Sequence, residues 1–130
     1  RGGTAIGEYV SSARQLRALD LNWNMLRDEG VHSLLRGLYE NNVEVSGHLQ
    51  RLNLAWNRMG SGSFSADACR RSKAATTAKL LADTLKHGEV LYHLDLSYNC
   101  FNAEECESLA KALLSNHTLF GIHLVGNDAT

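Results

Sequence analysis

The chain has 130 residues, 44% of them hydrophobic, and a formal charge of −1 with a pI near 6.6. That is enough for one compact domain with a continuous core, and it lacks the basic excess that a nucleic-acid or anionic-membrane surface needs. No apolar run approaches the ~20 residues of a membrane span. Three cysteines (Cys69, Cys100, Cys106) without CxxC spacing read as reduced thiols of an intracellular protein, and the absence of proline favours helices and paired strands over a linker.

In chain order, TAIGEYVSSAR (4–14) spaces Ile6 and Val10 as on an amphipathic helix. The RGG at 1–3 is a single copy, too little for an RNA-binding tract, and stands just before this helix. LRALDLNWN (16–24) follows, with leucine at 16, 19 and 21 and asparagine at 24. DEGVHSLLRGLYEN (28–41) is helical again, with Val31, Leu34, Leu35 and Leu38 on one face. NVEVS (42–46) lengthens the connection to LQRLNLAWN (49–57). An insertion within 60–76, GSGSFSADACRRSKAAT, begins as a Gly-Ser loop and ends as an early start to the helix AKLLADTLKHG (78–88). Then come LYHLDLSYN (91–99), the helix AEECESLAKALLSN (103–116) and LFGIHLVGN (119–127).

One phrase therefore occurs four times, with starts 33, 42 and 28 residues apart. The helices at 28–41 and 103–116 align at a constant offset of 75, which pairs Val31 with Cys106 and Asn41 with Asn116. Within each phrase, period-two alternation marks a short strand, near 18–22, 51–55, 93–97 and 121–125, and the intervening helix returns the chain so that strands stack in parallel. One strand face is apolar, and the other is left open to solvent. The asparagines Asn24, Asn57, Asn99 and Asn127 offer donors and an acceptor to main-chain groups that have no ladder partner. Leu26, Met59, Phe101 and Ala129, two residues later, point back into the core.

The repeated LxxLxLxxN phrase followed by a helix resembles the leucine-rich repeat family, in its ribonuclease-inhibitor-like class. The resemblance implies an α/β solenoid, or horseshoe, with a parallel concave sheet and convex helices. The chain reads as a single leucine-rich repeat domain fragment, 1–130, of a longer array. The Trp-Asn phrase ends and NHTLFGIHLVGN (116–127) are similar to repeats of protist and ciliary leucine-rich proteins, including those of axonemal complexes, which implies a cytoplasmic and ciliary setting.

The open face carries the candidate partner-binding residues. A central column holds Asp20, Asn53, Asp95 and His123. Arg51 and His93 lie in the column before it, and Asn22 in the column after. Trp23, Trp56 and Tyr98 come next, either as interface anchors or as a stack stiffening the strand-to-turn corner. His93, Asp95 and His123 are expected to cluster. Such a set can bind a divalent metal, but nothing in its spacing enforces ligand geometry, so a polar patch without metal or cofactor is expected. Arg70, Arg71 and Lys73 are a possible contact on the insertion, read as a mobile, removable projection.

No phosphate loop, nucleophile elbow or HExxH motif occurs, and the function read here is a non-enzymatic scaffold that binds a protein partner through its concave face. No nucleic acid or membrane is expected as partner, and a larger chain or complex is. Two alternatives stay open. Repeats of this class also occur in activators of the Ran GTPase, which typically carry an acidic tail, and in the ligand-sensing domains of innate immune receptors.

Overall fold

A computed structural model describes residues 2–44, 47–62 and 67–128. Four α-helices, α1 (Gly2–Ser12), α2 (Asp28–Tyr39), α3 (Ala68–His87) and α4 (Ala103–Leu113), alternate with four strands, β1 (Ala18–Asp20), β2 (Arg51–Asn53), β3 (His93–Asp95) and β4 (Gly121–His123). The strands form one parallel sheet in chain order, and Leu19, Leu52, Leu94 and Ile122 lie opposite one another. Each strand follows the previous helix, which is the connection a parallel pair requires. The leucines of the phrase meet the helix stripes in one core, where Leu34, Leu38, Leu49, Leu54, Leu81, Leu96 and Leu109 are all at most 1% exposed. Leu26, Met59 and Phe101 are buried in it as expected, and Ala129 lies outside the described residues.

The strands are three residues long, not five. The side chains of Asp20, Asn53 and Asp95 each accept a hydrogen bond from the main-chain N–H two residues on, at Asn22, Ala55 and Ser97 (3.0, 3.0 and 2.9 Å). That local turn takes the N–H from the regular ladder. Pairing nonetheless continues beyond it, through Leu21 N–H to Asn53 O and Trp23 N–H to Ala55 O.

The asparagine row ties neighbouring turns together. Asn57 Oδ1 accepts from the N–H groups of Asn24 (3.1 Å) and Leu26 (2.8 Å), while its Nδ2 donates to Leu21 O and Leu54 O. Asn127 repeats the pattern with Asn99 N, Phe101 N, Leu96 O and Leu124 O. Asn24 stands at the exposed end of the row and donates only to Asn22 O. Asn99 Nδ2 donates to Leu54 O and Leu96 O, but its Oδ1 has no partner among the described residues. The cause lies one turn earlier. Met25 and Cys100, each following a row asparagine, adopt left-handed φ of 53° and 61°, whereas Arg58 does not. The insertion leads the chain away there, and Gly60 N–H bonds to Asn99 O instead.

Three expectations need correction. The insertion is not a projecting loop over most of its length. It enters α3 at Ala68, after Asp67 caps the helix by accepting from Cys69 N and Arg70 N. Phe64 lies outside the described residues. The connection after α2 begins as a π-helical turn, Glu40–Glu44, and α4 ends at Leu113 rather than 116. RGG does not stand before a helix, because Gly2 and Gly3 begin α1. Gly3 is buried against Gly30, and β-carbons on Gly7 and Gly37 would overlap Ser33 and Gly7 main-chain atoms, so the glycines let α1 and α2 pack backbone to backbone.

Candidate interaction surface

The open face of the sheet carries three features: an aromatic row, a polar column and a histidine pair. Trp23, Trp56 and Tyr98 occupy equivalent positions just beyond β1, β2 and β3, at φ of 57°, 57° and 55°. Left-handed backbone is costly for bulky residues, so packing must hold them there. It does. Trp23 and Trp56 stack with ring centroids 4.5 Å apart at 10°, and Trp56 and Tyr98 at 4.0 Å and 12°. Gly126 ends the row with a φ of 77°, and a β-carbon there would overlap the Tyr98 ring. The rings are a stack and are exposed at once: Trp23 is 66% accessible, Trp56 42% and Tyr98 39%. With Met25, Arg58 and Cys100 they line a groove of about 510 Å³.

Trp56 touches a ring on each face, Trp23 on one. Trp56→Ala should therefore lower stability by about 1–3 kcal/mol beyond its lost area, and Trp23→Ala by roughly half of that. Chemical denaturation of the two variants checks the order.

In the polar column, Asp20 is exposed while Asn53 and Asp95 are half-buried, and all three hold turns as described above. Asn22 and Arg51 are exposed. His93 Nε2 lies 2.9 Å from His123 Nε2, with ring centroids 4.8 Å apart. Asp95 does not join them as expected, because its carboxylate is engaged by Ser97 N–H. Among the described residues no set of three or more His, Cys, Asp or Glu is arranged to hold a metal.

Arg70, Arg71 and Lys73 sit on the first turns of α3, away from the sheet. Arg70 Nη2 donates to Gly60 O (3.2 Å), Arg71 N–H bonds to Asp67 O, and the Lys73 carbonyl accepts from Thr77 and lies 3.0 Å from His32 Nε2. The His32 contact ties this stretch of α3 to α2, while the others lie within the insertion and its helix. All three cysteines are unpaired. Burial first, then the charges of Glu105 and Asp128, push the Cys106 thiol above its ordinary range, which makes it a poor nucleophile.

Several residues that hold these elements carried weaker signals. Buried His32 joins α2 to α3 through Thr77 Oγ1 (3.0 Å). Glu105, 5% exposed, closes a capping box with Asn102 and accepts from Ser61 Oγ (2.7 Å). Asn-x-x-Glu at 102–105 is a legible signature of that cap. Asn41 Nδ2 donates to Val10 O and Ala13 O, and Asn116 Nδ2 to Leu85 O. Their alignment at an offset of 75 marks a second structural pair, each tying its turn to the end of the preceding helix.

Comparison with known proteins gives the following. A family model described as Leucine Rich repeat matches residues 13–35 and 45–63. Human NACHT, LRR and PYD domains-containing protein 13 is 30% identical over 137 residues, which takes in 95% of this chain and 13% of that protein. The chain thus spans about an eighth of that relative's length. Among solved structures, the tropomodulin C-terminal domain of Caenorhabditis elegans superposes with a TM-score of 0.72 at 14% identity, over 99% of this chain and 67% of that one. Actin-binding site 2 of leiomodin-1 gives 0.68 at 21%, over 93% and 61%. At these identities the two structures speak to the fold alone.

Proposed function

Because this chain is a leucine-rich repeat protein, we propose that it is a non-enzymatic scaffold that binds a protein partner across its open sheet. The observation that carries this reading is the exposed aromatic row. Three large rings are held rigid by stacking on an unfavourable backbone and still present their edges to solvent. Rigid, part-exposed aromatics lose little entropy on contact and suit interface anchors. Arg51 and Asp20 beside them supply charges that fix register. A protein partner is also what the name of the leiomodin-1 segment, an actin-binding site, suggests for a repeat of this shape. Three unpaired thiols suit a cytoplasmic setting.

The test compares two double variants. Asp95 holds the turn at Ser97, so asparagine, which keeps that acceptor, replaces it. Arg51→Glu with Asp95→Asn should weaken partner binding roughly tenfold with unchanged far-UV circular dichroism. Arg36→Glu with Lys111→Glu on the helix face should change it little. Loss of binding in the helix-face variant alone would refute the concave-surface reading. Filamentous actin is the first partner to try, by co-sedimentation.

A second reading, a ligand-sensing segment of an innate immune receptor, is favoured by the 30% identity to the NACHT- and LRR-containing human protein. Stimulated GTP hydrolysis by Ran would instead support the GTPase-activator alternative.

A further inference from the structure

We propose that His93 and His123 form a binding site for a divalent first-row transition-metal ion on the open sheet. The two histidines are not directly opposite one another. In the β3–β4 register His93 faces Gly121, and His123 faces Asp95. Diagonal neighbours on adjacent strands stand ~7–8 Å apart, within reach of ring side chains where the position between them is clear. Here they meet because position 121 has no side chain. A β-carbon on Gly121 would stand 2.9 Å from His93 Cδ2, so the imidazole lies across the space that any other residue would fill. Leaning over β4 in this way brings His93 Nε2 to 2.9 Å from His123 Nε2. His123 is free to take part because it alone in its column has no carboxylate or amide to turn back onto the chain, as Asp20, Asn53 and Asp95 do.

A metal can bridge that separation. Two imidazole nitrogens at ~2.0–2.1 Å from one ion stand about 2.9 Å apart at the right angle of square-planar or octahedral copper(II) and nickel(II), and about 3.3 Å apart at the tetrahedral angle of zinc(II). In the ion-free state one imidazole N–H donates to the other ring's bare nitrogen. Uptake of an ion requires the donor's proton to pass to its Nδ1 through solvent and the rings to rotate slightly, with no strand movement. Two neutral imidazoles on an exposed sheet select copper(II), nickel(II) or zinc(II) over magnesium or calcium. Among the described residues no further protein group completes the set, so water or a partner's side chain takes the remaining positions. The sequence spacing alone enforces no such geometry; Gly121 supplies it.

The experiment titrates the metal-stripped chain, carrying Cys69→Ser and Cys100→Ser to remove the exposed thiols, with nickel(II) in a calorimeter, with magnesium as control. One ion should bind per chain, more weakly as the solution is acidified, because protonated imidazole cannot ligate. His93→Gln and His123→Gln should each lower affinity at least about tenfold, and Gly121→Ala, which keeps both ligands and moves one ring, should also weaken it. His87→Gln and His117→Gln, on exposed positions elsewhere, should bind as the parent does. Circular dichroism establishes that each variant is folded. Absence of saturable binding to the parent, or parental affinity in the His93→Gln/His123→Gln double variant, would overturn the proposal.

Discussion

Asn57→Ala should destabilise the chain by about 3 kcal/mol and lower its melting midpoint by roughly 10 °C. The single amide serves two neighbouring turns. Without it Leu26 N–H and Leu21 O, in buried surroundings, lose their partners together. The Asn57 side chain is 2% exposed, so water does not readily replace it. Asn127→Ala removes the same kind of contacts from a half-buried position at the far end of the row, and its shift should be about half as large. Equal midpoints for the two variants, measured by calorimetry, would mean that the row does not couple the repeats.

Deletion of residues 60–73 should cost about 4–6 kcal/mol and abolish or nearly abolish cooperative unfolding. The alignment argues the other way, since Met59, Ala78, Leu81 and Leu85 all lie outside the deleted stretch and the repeat frame survives. The contacts decide against it. Gly60 N–H and Gly62 N–H bond to Asn99 O and Cys100 O, Ser61 satisfies the buried Glu105 carboxylate, and Asp67 caps α3. Removing them leaves Glu105 buried with only its capping bond and places Ala74 where a capping residue is needed. Ser61→Ala should reproduce part of the loss, about 1–3 kcal/mol. A deleted chain that melts cooperatively within a few degrees of the parent would show that these bonds are replaceable.

The phrase was legible because two constraints coincide in it: leucines at period two bury one strand face, and an asparagine must follow where the turn has no ladder. The helices around Leu34 and Leu109 were legible from their apolar stripe. The start of α3 was not. RRSKAATTA buries only Ala74, Thr77 and Ala78, and a helix that packs through alanine and threonine leaves little hydrophobic period to read. The site was legible as a set of columns, because strand alternation fixes which residues share a face. What each column does was hidden, since Asp95 can serve a partner, its own turn or both, and the 2.9 Å bond from Ser97 N–H is visible only in the structure. The histidine pair depended on a residue with no side chain at all.

The glycine contact between α1 and α2 has a consequence for curvature. A repeat solenoid bends because helices set ~8–10 Å apart share the stack with strands ~4.8 Å apart. Where Gly3, Gly7, Gly30 and Gly37 bring two helix backbones together, that mismatch shrinks, and the arc is expected to be flatter there than where the side chains of His32 and Thr77 lie between α2 and α3. Gly7→Leu would wedge the first two helices open, tighten the bend at that end, and alter the shape of partner the surface accepts without touching any residue that faces it.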